Sequence, residues 1–397
     1  MMRNALGLLL ALIGLSVPAT SAIAASPVPG TPEPRSGDEI VVCGQFFHTG
    51  TRVVLWIDPG GYDAYRLEPR YPFPPPADPK KLRGPGYGDR TAPLTEQEAE
   101  LTRGGNWALP ELQQKVDQFV IHYDVAGVSR ECFRILFARG LSVQFMCDID
   151  GTIYQTLDLK DGAWHATIAN GRSVGVEVAN MGGYKSPVLL EQWYKRDPKG
   201  QVSVTIPERL GDGGVLTPRF VGHPIRNQLI HGTIQGRSYS QYDFTAQQYE
   251  ALSHLTASLC TIFPKIQCDY PRQKSSLGPP TEIAATQPAA GDPTTRPTAL
   301  VTSPEEHGTL IPHKLQPEQW DDYQGVLGHY HVQYDKEDPG PAFQWDLMIN
   351  RARSLMTPEA LRNNARHRHQ PARTIPSTQP AAEATAKPAA QETPHKR

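Results

Sequence analysis

Residues able to do chemistry gather in three places along the chain. His122 ends the apolar run Gln118-Phe-Val-Ile-His122, at the point where a strand leaves its sheet, and strand ends are where α/β domains present functional groups. Far downstream, Gly328-His-Tyr-His-Val-Gln-Tyr-Asp-Lys-Glu-Asp-Pro-Gly340 packs two histidines, two aspartates, a glutamate and a lysine into one short stretch. Between them lies Ser173-Val-Gly-Val-Glu-Val-Ala179. Strand alternation puts Val174, Val176 and Val178 on one face and Gly175, Glu177 and Ala179 on the other, which leaves room beside the carboxylate. Imidazole nitrogen and carboxylate oxygen are the donors of mixed zinc sites. Two neutral imidazoles and one carboxylate leave such an ion net positive, with an open position where a water has its pKa lowered toward ~7. Each element has a plainer reading: a hydrogen-bonded structural histidine, a solvated polar loop, and a strand glutamate that needs a partner wherever it is buried.

The elements that must position these residues read as an α/β domain, a central mixed β-sheet flanked by helices, with long loop-rich insertions and disordered linkers. Residues 39–46 and 52–57 read as short strands, outside a main domain spanning residues 106–350. They either pack on its sheet or form a small accessory module. Residues 118–122 and 173–179 are strands. Residues 129–139 are a helix, with Ser129 as N-cap and Gly140 as its stop. Residues 143–147 and 152–157 form a hairpin across Asp150-Gly151, a strong turn pair. Thr245-Ala-Gln-Gln248 has capping-box form, with Leu252, Leu255, Leu259 and Ile262 on one helical face and Pro264 ending the helix. A last helix runs from Pro341 to about Leu355. Residues 181–243 read as a loop-rich insertion, and 272–308, rich in Pro, Thr and Ala, as disordered. The tail, residues 351–397, holds nine Arg or Lys against three Glu and reads as the end of the last helix followed by a solvated basic segment.

Residues 1–24 read as a signal peptide: Arg3 is a positive start, Ala5 to Val17 an apolar run, and Ala22-Ile23-Ala24 a cleavage site. The run is shorter than the ~20 residues a membrane span needs, so the protein is expected to be exported, periplasmic or extracellular, without a transmembrane anchor. Five cysteines suit an oxidising compartment. Cys260 and Cys268 could close a small loop, Cys132 and Cys147 fall on a helix and the next strand, and Cys43 is left over. None has CxxC zinc spacing. A net charge of −2 gives no case for nucleic acid.

Taken in order, several segments resemble the zinc-dependent N-acetylmuramoyl-L-alanine amidases of the type-2 amidase and peptidoglycan-recognition superfamily. They are Val-Ile-His122, Asp150-Gly-Thr-Ile-Tyr-Gln155, Ala163-Trp-His-Ala166, Ser173-Val-Gly-Val-Glu177, Phe244-Thr-Ala-Gln-Gln248, and Gly328-His329 through Lys336-Glu-Asp-Pro-Gly-Pro-Ala-Phe-Gln-Trp345. The resemblance implies zinc bound by His122, His329 and Asp338, Glu177 as catalytic acid/base, and Lys336 as the group that stabilises the oxyanion. It places Trp164 and His165 along the substrate groove, with peptidoglycan or muropeptide fragments as partners. The stretch between His329 and Asp338 departs from the commonest form, which keeps His331 and Asp335 open as ligands. Gln144 stands where many relatives have His or Tyr. A peptidoglycan binder without zinc and a zinc peptidase of cell-wall peptides are the competing readings. The chain has no HExxH, which counts against the second.

Overall fold

The structure, a computed structural model, describes residues 29–66, 86–90, 107–273 and 309–366, together with Glu96 and Glu100. The expected signal peptide, nearly all of the 272–308 stretch and the tail beyond 366 lie outside the described residues. The described residues before Gly37 belong to a separate unit, and the fold is that of the described residues from Gly37 onward.

Six strands make the central sheet: β1 (Val53–Leu55), β2 (Gln118–Tyr123), β3 (Phe145–Cys147), β4 (Ile153–Gln155), β5 (Ser173–Val178) and β6 (Gly325–Gly328). Their spatial order is β6-β2-β5-β3-β4-β1. Only β3 and β4 run antiparallel, so the sheet is mixed and mostly parallel. The accompanying helices are α1 (Leu109–Lys115), α2 (Ser129–Arg139), α3 (Ala246–Ile262), α4 (Pro317–Asp322), α5 (His329–Val332), α6 (Trp345–Leu355) and α7 (Pro358–Arg366). Parallel strands covered on both faces must be apolar on both, and β2 is buried at every position.

The two faces differ in what they carry. Phe119, Ile121, Val174, Val176 and Val178 pack under α3 and α6, against Leu252, Leu255, Leu259, Met348 and Ile349. That face is a dry core. On the opposite face Met146 and Tyr154 pack against Phe133, Leu136 and Phe137 of α2, and Val120 and Leu327 meet Ala166, Ala169 and Trp320. His122 and Glu177, which are register partners on neighbouring strands, share this second face.

Several expectations hold and several change. Thr245 caps α3 with a full capping box, its hydroxyl accepting from the Gln248 amide. The Asp150-Gly151 hairpin forms, with Gly151 at φ +81°. The segment read as one strand over 39–46 is instead a hairpin, Glu39–Val42 with Gln45–His48. Its turn, Cys43-Gly44, has φ of +50° and +73°, and both amides donate to the Asp158 carboxylate at 2.8 and 2.7 Å. β1 pairs with β4 at the sheet edge, so this region is no separate module. The N-cap of α2 is Val128, not Ser129; the Ser129 amide donates to Asp148 Oδ1 from a distant loop. The last long helix starts at Trp345, not at Pro341; upstream of it the Ala342 amide donates to Gln241 Oε1 at 3.0 Å.

Residues 358–366, read as part of the solvated basic segment, form α7. Asn364 locks it down, donating to the Ile266 carbonyl and accepting from the Cys268 amide. The insertion 181–243 holds two hairpins, Tyr194–Arg196 with Val202–Val204 and Ile230–Ile234 with Arg237–Gln241, around a small core of Val128, Leu190, Trp193, Tyr194 and Val202. All five cysteines are free thiols. Among the described residues no helix is long and apolar enough to cross a membrane.

Candidate metal centre and active site

β2 and β6 run side by side and in parallel, with Ile121 opposite Gly328. Each of these two residues is followed at once by a histidine, so His122 and His329 meet at the same sheet edge. The chain then turns through α5 and comes back, the Tyr330 amide donating to the Asp338 carbonyl. Gly328 makes this return possible: a Cβ there would stand 2.7 Å from Pro339. The insertion braces the loop. Gln235 Nε2 donates to the carbonyls of Tyr330 and Gln333, and Gln241 Nε2 to that of Pro339.

Three donor atoms result, at the corners of a small triangle. His122 Nδ1 lies 3.0 Å from His329 Nδ1 and 2.9 Å from Asp338 Oδ2, and His329 Nδ1 lies 3.0 Å from the same oxygen. All three residues are buried. Hydrogen bonds alone satisfy this triangle poorly, since two imidazole protons aimed at one oxygen also face each other. A cation at the centre removes the conflict. Zinc–nitrogen bonds of ~2.0–2.1 Å in a tetrahedral site separate ligand atoms by roughly 3.3 Å, close to the observed edges. The donor set therefore fits a metal ion, and His122, His329 and Asp338 form the buried group able to hold one. Burial, then His329, pushes the His122 imidazole down to about 4, against the pull of Asp338. Burial pulls the Asp338 carboxyl upward, but His329 and His122 outweigh it and hold it well below the usual range. An ionised carboxylate beside a neutral His122 is the protonation state a metal ligand needs.

The other nitrogens are also engaged. His329 Nε2 donates to Gln333 Oε1 at 2.7 Å, a partner one helical turn on that sequence reading missed, although His-x-x-x-Gln spacing could have signalled it. His122 Nε2 lies 2.9 Å from His165 Nδ1.

The triangle opens on a cleft of about 240 Å³ that also receives Glu177, Trp164, His165, Lys336 and Arg139. Glu177 Oε2 is buried with no hydrogen-bond partner among the described residues. Burial, then the charges of Asp338 and Asp124, pushes its carboxyl well above the ordinary value. Trp164 is half exposed along the cleft. His331 points elsewhere: its Nδ1 accepts from the Gly328 amide and its Nε2 donates to the Ile311 carbonyl, so both nitrogens are spent. Asp335 lines the cleft but has no place in the triangle. Gln144 is structural, its Oε1 accepting from the Gly175 amide at 2.8 Å. The space that Gly175 opens beside Glu177 is filled by the His165 ring, which a Cβ at 175 would meet at 2.6 Å.

Residues 112–279 match the family model Amidase_2, N-acetylmuramoyl-L-alanine amidase. The chain carries an N-acetylmuramoyl-L-alanine amidase domain. The match takes in His122, Trp164, His165 and Glu177 of this amidase domain, while His329, Lys336 and Asp338 lie beyond it. The comparison with curated proteins yields no match. Among solved structures, a selenomethionine derivative of AmpD is 14% identical over 70% of this chain and 94% of that one, with a TM-score of 0.27. The N-acetylmuramyl-L-alanine amidase AmiD from E. coli, solved with the substrate anhydro-N-acetylmuramic acid-L-Ala-D-γ-Glu-L-Lys, is 15% identical over 60% of this chain and 57% of that one, with a TM-score of 0.30. The assignment of the amidase domain rests on the family match.

Proposed function

We propose that this protein is an exported zinc hydrolase, periplasmic or extracellular, that cleaves the amide bond between N-acetylmuramic acid and L-alanine in peptidoglycan or its fragments. One observation carries the reading. Two imidazoles and a carboxylate, drawn from distant parts of the chain, converge within 3.0 Å of one another beside a carboxyl whose buried oxygen has no partner among the described residues, on a chain with an amidase domain.

His122, His329 and Asp338 would hold the zinc. Bound there, the ion would supply Lewis acidity toward the scissile carbonyl and make a nearby water more acidic. Glu177 takes the proton of the attacking water and hands it to the departing alanine amine. Glu177 must be ionised to take that proton: burial opposes this, and a cation held by the nearby triangle would favour it. Lys336, on the cleft wall, brings a positive charge to the tetrahedral oxyanion; a single such donor is typically worth ~10²–10³ in rate. Trp164 offers an exposed ring along which a sugar or peptide can lie.

Glu177→Gln tests the assignment. The variant should bind zinc as the parent does and lose nearly all release of stem peptide from purified sacculi. New L-alanine amino termini among the parent's products identify the sugar–peptide bond. Full turnover in the variant removes Glu177 from the mechanism, and products cut between two amino acids point to a peptidase instead.

A further inference from the structure

We infer that His165 is a positioning residue for His122, fixing the metal-facing imidazole from behind, and not primarily a wall of the substrate groove. This rests on the reading of His122 as a zinc ligand.

Once Nδ1 of His122 faces the metal position, its proton resides on Nε2, which can only donate. The atom 2.9 Å away is His165 Nδ1, so that nitrogen accepts. His165 then carries its own proton on Nε2, directed at Ser173 Oγ at 3.2 Å. The chain of contacts from metal position to His122 to His165 to Ser173 admits one set of tautomers. The two rings stand nearly perpendicular, at 82°, as an in-plane donor meeting an in-plane acceptor allows.

Three features hold His165 in that pose. Asn170 Oδ1 accepts from the amides of both His165 and Ala166, fixing the loop. Ser173, at the start of β5, anchors the far nitrogen. Gly175 supplies the berth, since any Cβ there would meet the ring at 2.6 Å. The acceptor is also chemically unusual. Ligating histidines commonly donate to a carboxylate or a carbonyl; here the acceptor is an imidazole nitrogen, which accepts only through its lone pair and so in the neutral ring. It orients His122 without adding negative charge, so the ion would retain the full net positive charge left by two imidazoles and one carboxylate.

The decisive measurement is zinc affinity of the metal-stripped full chain, by competition with a chromogenic chelator, for the parent, His165→Ala, His165→Asn and Gly175→Ala. Asparagine places Oδ1 on Cγ, where the imidazole carries Nδ1, and so restores an acceptor. His165→Ala should weaken zinc binding about 10–100-fold, Gly175→Ala should weaken it by displacing the ring, and His165→Asn should recover most of the loss. Metal-free melting temperatures should not separate the alanine and asparagine variants. Two results overturn the inference: His165→Ala binding zinc like the parent with a raised KM, which returns His165 to the groove, or the alanine and asparagine variants being equally weak. A parent that binds no zinc overturns the metal-site reading as well, which separates the two failures.

Discussion

At the N-terminal ends of β2 and β5, Asp117 and Arg172 form a two-bond pair, with Nε to Oδ1 at 2.7 Å and Nη2 to Oδ2 at 2.6 Å. The guanidinium also donates to the carbonyls of Asp321 and Tyr323. Five residues later, at the other ends of the same two strands, stand His122 and Glu177. There an imidazole nitrogen shares its space with a second imidazole nitrogen and a carboxylate oxygen, and a buried carboxyl oxygen has no partner among the described residues. The strands, the register and even the balance of acid and base are alike. At the first, closed end the charged pair is matched bond for bond, and the atom without a partner among the described residues is a neutral amide oxygen, Gln118 Oε1; at the other, open end three potential ligand atoms and an unpartnered carboxyl oxygen line one cleft. Buried charge is costly unless it is matched, which is the difference between the two ends and agrees with the proposed metal site at the second. The second is also the carboxyl end of the parallel strands, where open α/β sheets place their sites.

The contrast can be broken by experiment, with the largest effect expected at the open end. Lys336→Met should lower kcat for stem-peptide release by about 10²–10³-fold, with zinc content and melting temperature close to the parent. A loss of stability to match the loss of rate would mean that Lys336 serves the fold. At the closed end, Asp117→Ala should behave oppositely. It strands a partly covered guanidinium and should cost about 2 kcal/mol in urea unfolding, discounted from the roughly 3–5 of fully buried pairs because Arg172 keeps some exposure. Turnover per folded molecule should stay at the parent level. A drop in kcat without a drop in stability would erase the distinction between the two ends.

The smallest effect concerns Asp148, at the carboxyl end of β3. Burial, barely relieved by the Ile149 amide, raises its carboxyl to about 7. The folded state therefore binds a proton that the unfolded chain releases near pH ~4. Stability from this group is complete below that pH and is lost as pH rises toward 7, at up to about 1.4 kcal/mol per unit. Asp148→Asn should flatten the stability–pH curve in that window. Asp124, raised to about 7 by the same cause, keeps part of the slope. An unchanged slope would show that Asp148 is ionised in the fold and that this edge is less strained than the contrast requires.

Much of this was legible along the chain, and where it was not the cause is physical. Strand alternation separated Val174, Val176 and Val178 from Glu177. The capping box at Thr245 and the Asp150-Gly151 turn follow from local hydrogen bonding, and each formed where expected. The triangle of His122, His329 and Asp338 came from resemblance; the residues alone left His331 and Asp335 equally open. What favours the triangle is the register of β6 on β2, together with two hydrogen bonds that occupy His331, and neither is written in local spacing. The Cys43-Gly44 turn was hidden because a non-glycine residue at positive φ is held there by Asp158, more than a hundred residues away. α7 was hidden because its anchor, Asn364, bonds to backbone exposed by the end of α3. The room expected beside Glu177 is not open at Gly175: the His165 ring fills it, from a loop whose approach nothing in the strand foretells.

The outermost strands of the sheet have a practical consequence. β1 precedes the family match and β6 follows it, so a fragment trimmed to residues 112–279 would keep only the four inner strands. It would expose two unpaired edges, an invitation to aggregate, and would retain His122 without the two groups that converge on it. Insolubility or inactivity of such a fragment would reflect where it was cut, and the smallest piece worth expressing begins before Glu39 and runs past Arg366.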